Sequence, residues 1–338
     1  MWVPTKRPAR RVTSTDVARE AGLSRATVSY VLNDTPNQSI PQETRERVLR
    51  AAARLGYTPY APARTLRSGR SDIAVFVLPD WPRGPTMTDL VDHAAEVLSG
   101  AGFTLITHVY SGTSDRLADL WAALTPAAVF GMRPFTPQEW QAMRQAGITA
   151  VLPPPHPPSE QDLHSSLWAL GVGRRQAEYL IAKGHTRLAC ALPDDPRLAA
   201  LAQGRAQGAT QACADARLPP PAVATVPLDA AAAAEILSAW RASPDAPTAV
   251  CAYNDEIALA LLAGLRTLGL SAPTDLAVIG VDDIPAARFA TPPLTSVAID
   301  SGDLGARLAH ALLRVLAGGS ADLVLVPDGV HVIERNSA

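Results

Sequence analysis

Apolar residues recur at helical spacing through the first sixty positions and in short unbroken runs after position 72, so the chain changes character near that point. Val17, Ala18 and Ala21 mark a first helix. Thr13-Ser14-Thr15-Asp16 supplies the capping oxygen and first-turn carboxylate that start it, and Gly22 the left-handed stop. Ser24 can cap a second helix, Arg25 to Leu32, with Val28, Val31 and Leu32 facing inward. A third helix, about Gln42 to Leu55, carries Val48, Leu49, Ala52 and Leu55 on its predicted apolar side and Arg45, Arg47, Arg50 and Arg54 outward. Small Ala18, the Gly22 turn and apolar Val28 follow the logic of a helix-turn-helix: close approach, tight turn, locked second helix.

After position 72 the apolar runs fall at 73–79, 103–109, 127–131, 148–153, 187–193, 248–253 and 276–281. Amphipathic stretches separate them, near 87–101, 115–124, 137–146, 173–183, 203–214, 229–242, 254–268 and 302–317. Continuous apolar strands alternating with helices predict parallel sheets covered on both faces. The expected fold class is therefore a small all-α helix-turn-helix head joined to an α/β body of two doubly wound parallel-sheet subdomains. In such folds a ligand sits at the carboxyl ends of the strands, in the crevice between the halves.

Charge sharpens this division. The net charge of −2 hides a head, residues 1–70, with 13 Lys and Arg against five Asp and Glu, and a remainder with 17 against 27. A head at +8 on a body at −10 suits a polyanion-binding module on a self-solubilising one. With 47% hydrophobic and 18% charged residues, the 338-residue chain is globular, and no apolar run approaches the ~18 residues of a membrane span. The basic start, MWVPTKRPARR, lacks the apolar core of a secretory signal. Cys190, Cys213 and Cys251 form no CxxC pair, which fits a reducing cytoplasm without a disulfide scaffold or zinc site. HExxH, GxSxG and P-loop motifs are absent, and Gly171-Val-Gly173 lacks the third glycine of a dinucleotide fingerprint. Neither enzymatic chemistry nor a metal or cofactor is expected.

The runs VTSTDVAREAGLSRATVSYVLN (12–33), ETRERVLRAAARLGYTP (43–59) and ARTLRSGRSDIAVFVLPD (63–80) resemble the lactose-repressor (LacI/GalR) family of bacterial transcription regulators. The resemblance resumes at GHTRLA (184–189), YNDEIALALLAGLRTLGL (253–270), DLAVIGVDD (275–283) and PPLTSV (292–297). It implies a second helix lying in the major groove, with Arg25, Ala26 and Tyr30 at the base-reading positions. Arg25 can grip a guanine edge with two hydrogen bonds, and Ala26 offers a methyl. Tyr30 departs from the family's usual hydrogen-bonding residue there. Thr13, Ser24, Thr27, Ser29 and Asn33 match phosphate-holding positions. The resemblance makes 59–71 a hinge that becomes helical on operator, with Ala63, Arg64 and Leu66 in the minor groove and Leu66 as the wedge. Pro62 departs from the small or branched residue usual there, yet suits a first helical turn.

For the body the resemblance implies a periplasmic-binding-protein-like architecture and an effector site. Its matching positions are Thr86, Met87, Arg205, Asn254, Asp255 and Asp282. Read as residues alone, Asn254 serves equally as a helix cap, Asp282 as a strand end and Arg205 as part of a solvated helix face. Several expected partners are replaced: Gly84-Pro85-Thr86-Met87 stands for Asn-Pro and aromatics, Gly171 for an acid, Ser301 for an aromatic. Trp81 and Trp168 are the aromatic rings available instead, and His185 reads as a packing residue.

The expected organisation is a basic arm (1–11), a DNA-binding domain (12–58), a hinge (59–71) and an effector and dimerisation body (72–335). Within the body the expected subdomains are about 72–168 plus 298–326, and 169–297 plus 327–335. The expected function is a sequence-specific regulator, a repressor, binding a pseudo-palindromic operator as a cytoplasmic homodimer under control of a sugar-like effector. The terminal residues carry no leucine heptads for a tetramer. The alternatives are a regulator whose cleft has lost its ligand and, behind it, a solute-binding protein.

Overall fold

Helix caps divide the first stretch of chain into three short helices, and apolar runs build the rest into two sheets. The computed structural model describes residues 12–32, 38–57, 71–110, 115–132, 135–153, 158–320 and 329–338. The chain separates into two units, Met1–Ser71 and Asp72–Ala338.

The first unit holds α1 (Ser14–Ala21), α2 (Arg25–Leu32) and α3 (Gln42–Arg54). Thr13 and Asp16 cap α1 reciprocally, each side chain taking the other's backbone N–H. Gly22, at φ 64°, ends α1 in the left-handed region that only a residue without Cβ enters freely. The Ser24 hydroxyl accepts the Thr27 N–H at 3.1 Å and starts α2. Val17, Ala18, Ala21, Val28, Val31, Val48, Ala51 and Ala52 form the core. One expectation is corrected. Leu49 is 51% exposed and Ala51 is buried instead, because the face that meets α1 runs Val48-Ala51-Ala52-Leu55 and the position after Val48 lies about 100° around the helix.

The second unit has a four-stranded sheet of order β2-β1-β3-β4, made by β1 (Ile73–Leu78), β2 (Thr104–Val109), β3 (Ala128–Gly131) and β4 (Ala150–Leu152), all parallel. Phe76 and Phe130 pair in register on β1 and β3 with rings stacked at 4.2 Å. Helices α4 (Pro85–Gly100), α5 (Asp115–Leu124) and α6 (Pro137–Gln145) connect these strands. The chain then passes through α7 (Pro158–Ala182), longer than the 173–183 stretch predicted, into β5 (Leu188–Pro193), α8 (Ala199–Asp215), β6 (Ala222–Val226), α9 (Ala230–Ala242), β7 (Ala249–Ala252), α10 (Asp255–Thr267), β8 (Ala277–Val281) and β9 (Thr295–Ile299). These strands and β10 (Val330–Ile333) form a six-stranded sheet of order β10-β9-β8-β7-β5-β6, with only β10 antiparallel. Strands β6, β9 and β10 were not among the runs predicted.

Each sheet has its own core. After β9 the chain returns to the first sheet: α11 (Ser301–Leu316) puts Leu308, Ala309 and Leu312 into one cluster with Phe76, Leu90 and Phe130. Two lobes thus share crossings at α7, at Asp300 and on the way to β10. Helices α7 and α8 touch backbone to backbone. A Cβ on Gly173 would fall 1.9 Å from the Arg205 carbonyl oxygen, and one on Gly208 would fall 1.9 Å from that of Leu170. This contact fixes the helix that carries Arg205.

Candidate functional site: an exposed second helix and a two-lobed cleft

In the first unit, Arg25, Ala26 and Tyr30 are all exposed, Tyr30 by 39%. Ala26 and Tyr30, four residues apart, share one side of α2, and Arg25 stands at its N-terminal end. Val28 and Val31 hold the opposite side down. Thr13 and Ser24 sit exposed at the two helix starts, where free N–H groups favour anions. Thr27 and Ser29 are half-buried, and the Thr27 hydroxyl lies 2.9 Å from that of Ser24. Asn33, and the hinge residues Ala63, Arg64 and Leu66, lie outside the described residues.

In the second unit the cleft residues gather at strand ends. Arg205 is 5% exposed on α8; its guanidinium donates to the Tyr253 carbonyl oxygen and lies 4.3 Å from the centroid of that residue's ring. Asp282 follows β8 in the left-handed region, at φ 99°, with Asp283 behind it at φ 47°. Two consecutive non-glycine residues at positive φ form a strained turn of the kind that clusters at ligand sites. Burial pushes the Asp282 carboxyl above its ordinary value, while the Arg205 charge and a hydrogen bond from Thr86 pull the other way. Thr86 stands in the first turn of α4. Residues from both lobes therefore meet at Asp282.

Three further positions matched to the effector site have contacts of their own. Asp255 is fully buried, and both carboxylate oxygens are occupied: one accepts the Ser296 hydroxyl at 2.6 Å, the other the Ile284 N–H at 2.8 Å. It braces the turn that presents Asp282 and does not face the cleft. Burial drives its carboxyl to about 7, against the hydrogen bonds from Ser296 and Ile284; the neighbouring charges of Asp282 and Asp283 raise it further. Asn254 uses its side-chain oxygen to cap α10 through the Ile257 N–H at 3.0 Å. Met87 packs against the first lobe's apolar cluster. Sequence reasoning missed Ser296, whose hydroxyl also accepts the Asp283 N–H, and Arg335, whose guanidinium lies 2.5 Å from the Asp283 carboxylate. No motif marked either; both join the turn from β9 and from beyond β10. His185 meets Thr248 at 3.0 Å, as a packing residue would, and the side chain of Trp168 lies outside the described residues.

The described helices include none long and apolar enough to cross a membrane, and no group of three potential metal ligands occurs among the described residues. A three-helix head with an exposed second helix, and a two-lobed body closing on buried charged groups, define a ligand-responsive DNA-binding regulator. Residues 13–60 match bacterial regulatory proteins of the lacI family, and residues 177–338 match the periplasmic binding protein-like domain. The chain is 30% identical over 298 residues to the HTH-type transcriptional repressor PurR of Vibrio vulnificus (strain CMCP6), spanning 83% of this chain and 85% of that one. It is 30% identical over 346 residues to the HTH-type transcriptional regulator CelR of Thermobifida fusca, spanning 97% and 98%. Among solved structures it resembles the Lac repressor dimer bound to operator and the anti-inducer ONPF, at TM-score 0.76 and 21% identity over 97% of this chain and 99% of that one. It also resembles the CelR–cellobiose complex, at TM-score 0.63 and 26% identity over 97% and 100%. The chain belongs to the lacI family of bacterial regulatory proteins, and is a DNA-binding transcriptional regulator, not an enzyme.

Proposed function

We propose that this regulator represses transcription in the cytoplasm by binding a pseudo-palindromic operator as a homodimer. In this reading residues 12–58 recognise DNA, 59–71 form the hinge and 72–335 dimerise and take the effector. Helix α2 enters the major groove with Arg25, Ala26 and Tyr30 at base edges; Thr13, Ser24, Thr27, Ser29 and Asn33 hold phosphates. Ala63, Arg64 and Leu66 enter the minor groove, where the Leu66 wedge exchanges base stacking for a bend. The observation that carries the reading is the exposure of Arg25, Ala26 and Tyr30 on a helix anchored from behind by Val28 and Val31. The effector, a hydroxyl-rich molecule, sits between Arg205, Asp282 and Thr86; the cellobiose held by the CelR relative supports that chemistry.

Fluorescence anisotropy on pseudo-palindromes from the chain's own upstream region, at fixed near-physiological salt, tests it. Binding at least about a thousandfold tighter than to scrambled duplex is expected. Equal, weak binding to both, with and without candidate metabolites, would refute it.

A further inference from the structure

We propose that residues 79–84, between β1 and α4, form a built-in latch that bridges the cleft and holds the two lobes closed without a ligand. The inference deepens the preceding reading of the body as a two-lobed effector domain and rests on it.

Two groups from this one short stretch of the first lobe reach two separate places on the second. Asp80 extends its carboxylate to the Arg197 guanidinium at 3.5 Å, just after β5. That guanidinium is already aimed by Asp195, which takes its Nε at 3.0 and 3.2 Å and its Nη2 at 2.7 Å. Next to Asp80, Trp81 packs half-buried against the second lobe's apolar cluster, which includes Leu198, Leu201 and Tyr253. Among the described residues it is the only apolar side chain from the first lobe in that cluster.

The links are unequal. Arg197 and Asp80 are 46% and 56% exposed, so water and salt weaken that pair, and it orients the segment more than it binds it. The indole removes far more apolar surface from water and is the main hold. An effector that requires the lobes to part must overcome the Trp81 contact, so the latch sets how much effector is needed.

Hydrogen exchange of the full-length, ligand-free protein, read by mass spectrometry, tests this. The latch protects segments 79–90 and 194–202 together. Trp81→Ala is expected to speed exchange in both, on opposite sides of the cleft, by roughly tenfold or more, with α9 and β3 unchanged. Arg197→Gln is expected to do so more weakly. Trp81→Leu, which keeps an apolar side chain, gives an intermediate effect and guards against misfolding of the alanine variant. Acceleration confined to 79–90, or none in either segment, would overturn the latch. Operator anisotropy on the same samples keeps the two claims apart: a wild type that binds no operator specifically defeats the regulator reading, whereas the exchange result judges the latch alone.

Discussion

Replacing Asp255 by asparagine removes an ionisable group from a site sealed from water, and the consequence depends on pH in a calculable way. In the folded chain the carboxyl sits at about 7, against an ordinary value of 3.8. Between those values the native state keeps a proton that the unfolded state has released. Stability from this group is therefore full below about pH 4, falls as pH rises, and is lost above about pH 7. At about 1.4 kcal/mol for each tenfold change in proton affinity, the loss is about 4 kcal/mol. Asparagine is neutral throughout and escapes it. Like the protonated carboxyl, it has one carbonyl acceptor, for the Ile284 N–H, and one donor side, for the Ser296 hydroxyl oxygen. The variant is thus expected to be close to the wild type in stability near pH 4 and to gain on it as pH rises to about 8. Urea unfolding of both proteins across that range, followed by circular dichroism, measures the difference. Parallel curves would refute the reasoning, because they would mean that Asp255 is not held protonated in the interior.

Other predictions concern the two helical contacts and the DNA interface. Gly208→Ala places a methyl 1.9 Å from the Leu170 carbonyl oxygen, so α7 and α8 must part; a loss of about 1–3 kcal/mol is expected by thermal or chemical unfolding. Arg25→Ala is expected to cost about 1–3 kcal/mol at one base pair of each half-site, read from operator variants by anisotropy. An even loss over all sequences would make Arg25 a phosphate contact. Leu66→Ala is expected to weaken operator binding while weak, salt-sensitive binding to any duplex survives, and unchanged operator affinity would remove the wedge.

The head was legible almost residue by residue because its signals are local. Thr13 with Asp16, Gly22, and Ser24 each set a helix end within four residues of themselves. Leu49 was misplaced because an apolar residue beside the buried stripe looks the same in sequence as one within it. In the body, β1, β3, β5, β7 and β8 stood out as apolar runs because both faces of these strands are covered. Strand β6 is an edge with exposed positions, and β9 and β10 carry Thr295, Ser296 and His331, so their strand character comes from distant partners. The same non-locality hid the role of Asp255. An acid at a helix start reads as a first-turn charge, and only the tertiary approach of β9 and of the turn after β8 shows that it is buried. Nothing in the run 79–87 tells which lobe Trp81 packs against.

Selection of binding sites from randomised duplex by the full chain, repeated with Arg25→Ala, tests the central claim most directly. The expected result is a two-fold symmetric inverted repeat carrying a guanine in each half-site, with the requirement at that position relaxed in the variant. An unsymmetrical or unenriched pool from the wild type would contradict sequence reading by α2 in a homodimer.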